Sequence, residues 1–142
     1  DMTTRVMDVA TAALLKGSDE LTPYTNTVWM AVLRSLSAYQ MYRQYVRRRV
    51  VPEDVLAFVL TDEQFPRALR YCLEQLETAL RKLPRPEDAL RAVARLQRQV
   101  DELDFNRLDH SGLHEWIDMV QLELGVTHMA IYRTWFGLES AA

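Results

Sequence analysis

Apolar side chains recur along this chain in steps of three and four, and two-residue alternation is sustained nowhere. That period lines up one stripe of a helix, so the chain is predicted to be all-α: a helical bundle of about five to six helices with no sheet. Met2, Val6, Val9 and Ala13 mark a first helix over 2–15, which Gly17 and Ser18 would stop. A loop over 19–25 contains Pro23. Trp29, Val32, Leu33, Leu36 and Tyr39 predict one long helix over 26–47. Leu69, Leu73, Leu76, Leu80 and Leu83 form a seam over 66–83, and Leu90, Val93, Leu96 and Val100 form another over 86–101. The last helix is predicted to open with Ser111 as its N-cap. It carries Leu113, Ile117, Val120, Leu124, Ile131 and Trp135, with Gly125 interrupting the pattern.

Two helix starts share a signature, Pro52-Glu53-Asp54 and Pro86-Glu87-Asp88. Proline at the first helical position loses no hydrogen bond, and the carboxylates face the positive end of the helix dipole. A length of 142 residues suits a single helical domain. Helical spacing is already under way at the first residue, so the chain reads as the C-terminal portion of a longer helical protein.

Composition narrows the function classes. Hydrophobic residues are 49% of the chain and charged residues 26%, enough apolar surface to offset chain entropy. A net charge of −3 argues against a nucleic-acid partner, which is normally held by cations. The only cysteine, Cys72, has no disulfide mate, which suits a reducing, cytoplasmic setting. No apolar run approaches the roughly 20 residues a membrane span needs, so no membrane partner is expected.

Chemistry-bearing residues are thinly spread. His110 and His114 are four apart with Glu115 following. Ser111 and Gly112 lie between them at a helix start, and no spacing supplies a third ligand, so no metal is expected. Cys72 sits among leucines as a small core residue. Asp101, Glu102, Asp104 and Asp109 read as a solvated helix end. Arg47, Arg48 and Arg49 run into the helix start at Pro52, where cations and a helix N-terminus would suit a phosphate or carboxylate. Their plainer role is a solubilising turn paired with Glu53, Asp54 or Asp62. Arg91, Arg95 and Arg98 look like an exposed face, with Glu87–Arg91, Arg98–Glu102 and Glu77–Arg81 as pairs one turn apart. No phosphate loop, nucleophile elbow or zinc spacing is present, and no cofactor is expected.

Four stretches taken in order resemble the alpha-E domain family, bacterial helical proteins named for a Glu-Arg motif near their amino end. They are Asp1 to Val9; Trp29 to Leu36 with Ala38-Tyr39 and Tyr42-Arg43; Val55 to Arg67 with Cys72-Leu73; and Gly112-Leu113-His114. The series covers nearly the whole chain. Two departures stand out: no Glu-Arg pair occurs in this sequence, and Ala68 stands where the family usually has serine. The resemblance implies proximity to circularly permuted ATP-grasp ligases and transglutaminase-like peptidases.

Three readings follow. The first is an accessory module that docks an ATP-grasp amidoligase or transglutaminase-like protein, or self-associates. The second is an enzyme or small-anion-binding protein whose site between helices uses Arg5, Asp8, Asp62 and Arg67. Against it stand plainer roles, Asp62 capping a helix and Arg5 pairing with Asp8. The third is a structural bundle with no ligand. If the four polar residues meet in one concavity, the second gains; if they scatter, it loses its basis.

Overall fold

A computed structural model describes residues 2–16, 25–105 and 107–137. The predicted stop at Gly17 and the loop over 19–24 lie outside the described residues. Among those described there are seven helices and no strand: α1 (Met2–Lys16), α2 (Thr25–Ser35), α3 (Tyr39–Val46), α4 (Pro52–Thr61), α5 (Leu69–Leu80), α6 (Glu87–Asp101) and α7 (His110–Trp135). None of them is long and apolar enough to cross a membrane.

The helix predicted over 26–47 is two helices. At its break the Ala38 N–H donates to the Leu33 carbonyl (2.7 Å), and the Ser37 N–H donates to that of Arg34 (3.0 Å). Ser37 adopts φ 54. This nested pair closed by a left-handed residue is the Schellman termination. It re-aims the chain so that Leu33, Leu36, Ala38 and Tyr42 are all buried. Hydrophobic periodicity alone does not register such a stop, because the apolar residues continue through it.

The core joins Trp29, Leu33 and Leu36 of the α2 segment to Val55, Phe58, Val59 and Leu60 of α4 and to Leu69 and Leu73 of α5. Tyr42 meets Phe58 edge-on at 5.6 Å, and Phe58 stacks on Phe65 at 5.0 Å. Each such side chain contributes about 1.5–3 kcal/mol when fully buried. Burial and the nearby Asp54 push the Tyr42 phenol above its ordinary pKa. The α6 stripe of Val93, Leu96 and Val100 is buried as expected. Leu83 is not part of the α5 seam: it follows the helix end and is 44% exposed.

α1 buries a different face from the one its apolar residues suggest. Met2 and Val9 are exposed, whereas Thr3, Thr4, Met7, Ala10 and Thr11 are buried. The threonines tolerate burial where their hydroxyls find carbonyls: Thr11 Oγ1 donates to Met7 O (2.8 Å), and Thr3 Oγ1 to Arg67 O (2.8 Å). α7 is held chiefly between α1 and α6. At its far end Trp135 Nε1 donates to the Pro84 carbonyl at 3.0 Å, fastening it to the α5–α6 turn.

Candidate functional site

α7 organises the polar and apolar features that remain. Its N-cap is Asp109, not Ser111: Asp109 Oδ1 accepts from the Gly112 N–H at 2.7 Å. A Cβ on Gly112 would come within 3.1 Å of that oxygen, so glycine gives the cap room. The helix runs unbroken through Gly125. A Cβ at Gly125 would meet nothing within 4 Å.

His114 and Asp118, one turn apart, point from α7 toward α1 and meet Asp8. His114 Nδ1 lies 2.9 Å from Asp8 Oδ1, and His114 Nε2 lies 3.6 Å from Asp118 Oδ2. His114 and Asp8 are about two-thirds covered, Asp118 about half exposed. Distance makes the first contact a close pair, yet Asp8 Oδ1 and His114 Nδ1 are buried atoms with no hydrogen-bond partner. The carboxylate oxygen lies off the axis of the ring N–H, so the close contact is not a hydrogen bond.

A second feature faces the opposite way from the core. Met119, Leu122, Val126 and Met129 follow steps of three, four and three on α7, Phe136 follows at its C-cap, and all are exposed, Leu122 at 74% and Phe136 at 70%. Beside them α6 and α7 form a groove of about 750 Å³ lined by Leu122, Val126 and Met129 together with Asp88, Arg91, Arg95 and Arg133. Arg91 pairs with Asp88, in place of the expected Glu87, and Arg95 lies 3.7 Å from Glu123.

The four residues of the enzyme reading do not come together; no hydrogen bond or ion pair joins any two of them. Arg5 is exposed on α1. Asp8 turns to His114 on α7, and not to Arg5. Asp62 ends α4, and its Oδ1 accepts from the N–H groups of Gln64 (2.9 Å) and Phe65 (2.7 Å). Arg67 Nη1 donates to the Leu36 carbonyl at 2.6 Å, at the end of α2, while its own carbonyl receives Thr3. Asp62 and Arg67 thus close turns. Arg70 is held by Glu63, Glu74 and Asp101 at 3.4–3.6 Å.

Arg47, Arg48 and Arg49 are exposed. Arg47 has φ 52 and donates from Nε to Gln44 O. Arg48 lines a cleft of about 580 Å³ with Asp54, Asp62 and Glu63, three carboxylates to one guanidinium, a balance that disfavours an anion. Cys72 is half-buried; burial pushes its thiol up, away from the thiolate a nucleophile needs.

The sequence reading missed the outward face of α7 because that helix is apolar on two sides, and the stripe containing Leu113, Ile117 and Val120 accounts for only one. Steps of three and four from Met119 to Met129 were the available signal. His114 and Asp118 share helical spacing, but their partner Asp8 comes from the opposite end of the chain, which no spacing rule connects.

The model of the Alpha-E family, described as a predicted alpha-helical domain with a conserved ER motif, matches residues 1–136. No curated protein and no solved structure matches the chain.

Proposed function

This chain belongs to the Alpha-E family, and on that premise we propose that it is an accessory helical module of a bacterial peptide- or metabolite-modifying system, acting in the cytoplasm. Its task in this reading is to dock a circularly permuted ATP-grasp amidoligase, the partner class the family resemblance implies; a transglutaminase-like protein is the alternative partner. The observation that carries the proposal is the exposed apolar row on α7, from Met119 to Met129, continued by Phe136 at the helix end. A row at this spacing is the surface a second helix packs against. The groove holds three arginines to one carboxylate, Asp88; with Arg91 paired to Asp88 and Arg95 to Glu123, its remaining charge is positive, which favours an occupant with an acidic flank, since complementary charge sets orientation and partner choice. A second copy of the same face would bring the same excess of arginines to both sides of the contact, so self-association is the weaker version.

Titration calorimetry between the purified chain and the ATP-grasp ligase of the same organism tests this. Leu122→Glu with Met129→Glu removes two side chains worth about 1.5–3 kcal/mol each when buried, so binding should weaken more than tenfold while helix content by circular dichroism is unchanged. Absence of binding by the unaltered chain, or equal binding by the double variant, overturns the proposal. A dimer that the double variant dissolves would assign the face to a second copy instead.

A further inference from the structure

The contact between α1 and α7 has a property that the docking reading leaves unexplained. Asp8 Oδ1 and His114 Nδ1 lie 2.9 Å apart, both sealed from solvent, and neither is hydrogen-bonded to the other or to anything else. A buried polar atom left unsatisfied carries its full desolvation cost. Two lone-pair atoms about 3 Å apart and not aimed at each other are what a shared cation requires. In a tetrahedral shell with bonds of about 2.0–2.1 Å to nitrogen and oxygen, neighbouring ligand atoms stand about 3.4 Å apart. One atom from each of Asp8, His114 and Asp118 falls within a 4.8 Å span, and Asp118, the most exposed of the three, can close that span by rotating its carboxylate.

We propose that Asp8, His114 and Asp118 bind a divalent first-row transition metal ion, with Zn²⁺ the preferred occupant. The donor set selects the metal class. An imidazole nitrogen with two carboxylates suits zinc, iron or manganese, whereas magnesium and calcium take oxygen donors. The ligands come from two helices. His114 and Asp118, at i and i+4, make a bidentate pair on α7, and Asp8 completes it from α1. The ion, taken on one ring nitrogen with an oxygen from each carboxylate, therefore clasps the first helix to the last, neutralises two carboxylates, and keeps a coordination position for water or for a ligand from outside the chain. His128, exposed on another part of α7, belongs to no such group among the described residues.

The proposal is independent of what α7 docks, and its test needs no partner. Protein stripped with a chelator is titrated with Zn²⁺, Mn²⁺ and Mg²⁺ by calorimetry, and its melting temperature is followed with and without Zn²⁺. One equivalent of Zn²⁺ should bind, more tightly than Mn²⁺ and far more tightly than Mg²⁺, and the melting temperature should rise by several degrees, since a ligand that binds only the folded state stabilises it. Co²⁺ in place of Zn²⁺ should give the visible absorption of a low-symmetry nitrogen–oxygen site. His114→Ala should abolish uptake. Asp118→Asn, a change of one atom on a half-exposed side chain, should weaken it at least tenfold without unfolding the protein. His128→Ala should bind as the unaltered chain does. Uptake that is not saturable at one equivalent, or a melting shift of equal size in Asp118→Asn and in the unaltered chain, overturns the site.

Discussion

Replacing Ser37 by glycine should make this protein more stable, although the side chain removed is polar, exposed and small. The reason lies in the backbone. Ser37 ends α2 in the left-handed region at φ 54, where its N–H and that of Ala38 satisfy the carbonyls of Arg34 and Leu33. For an L-residue that conformation costs about 1–2 kcal/mol. Glycine removes the cost but adds about 0.5–1 kcal/mol of unfolded-state freedom, so the net gain is about 0.5–1 kcal/mol. In a chain of this length that is about 2–4 °C in Tm.

Urea unfolding followed by circular dichroism measures it. The midpoint should rise with an unchanged slope, since the area exposed on unfolding is the same. Ser37→Val supplies the opposite arm. A β-branched residue at positive φ is strained by about 1–3 kcal/mol, so its midpoint should fall. If glycine is neutral or destabilising and valine is tolerated equally, then the left-handed turn is not what divides the segment into α2 and α3, and the account of why Tyr42 reaches the core fails with it.

Glu77 provides a pH prediction. Its carboxyl is held below its ordinary pKa, first by the Gln97 side-chain amide, which donates at 2.9 Å, and then by Arg81 at 2.6 Å. A carboxyl depressed in the folded state contributes stability that is complete above the unfolded pKa of about 4.3 and is lost as pH falls through the lower folded value. The stability difference between the unaltered chain and Glu77→Gln should therefore shrink on acidification below about pH 4.5; a difference constant from pH 6 to pH 3 contradicts the assignment. Ala68 is the N-cap of α5 and offers no side-chain acceptor, so Ala68→Ser should gain about 0.5–1 kcal/mol in thermal unfolding; a loss would mean that this fully buried position has no room for a hydroxyl.

The helices were legible where proline, acidic first turns and leucine seams agree, as at α4 and α6. They were misjudged where the decisive residue is not apolar. Ser37 breaks a helix through its backbone angle, and Thr3, Thr4 and Thr11 turn the buried face of α1 away from Met2 and Val9 because hydroxyls that find carbonyls can be buried. The polar residues divide in the same manner. Asp62 and Arg67 looked chemical in isolation but satisfy turn and helix-end groups, a role visible only when Leu36 and Thr3 are placed beside them. Asp8 and His114 each stand out in the sequence; their meeting depends on α1 lying along α7, a tertiary fact that no local period encodes.

α7 shows why these features belong to one helix. At about 100° per residue, Leu113, Ile117, Val120, Leu124 and Ile131 define one direction, and all are buried or packed on the core. His114 and Asp118 lie roughly 100–140° round from it, toward α1, and Glu123 lies on the other flank, where it meets Arg95 of α6. Leu122, Val126 and Met129 lie roughly 160–220° round, directly away from the core, and no other helix of the described chain covers them. A helix 26 residues long fixed on one face and gripped on both flanks cannot turn its remaining face inward. Burial of that face must come from outside the described residues or not at all. A few exposed apolar side chains are ordinary on any surface, but a row in register over about three turns, from Met119 to Met129, beside arginines that would repel a basic partner, is a directional surface. Because the polar cluster grips the same helix from α1, a metal ion there would fix the pose in which the row is presented, and loss of the ion would loosen α1 before it altered the row itself.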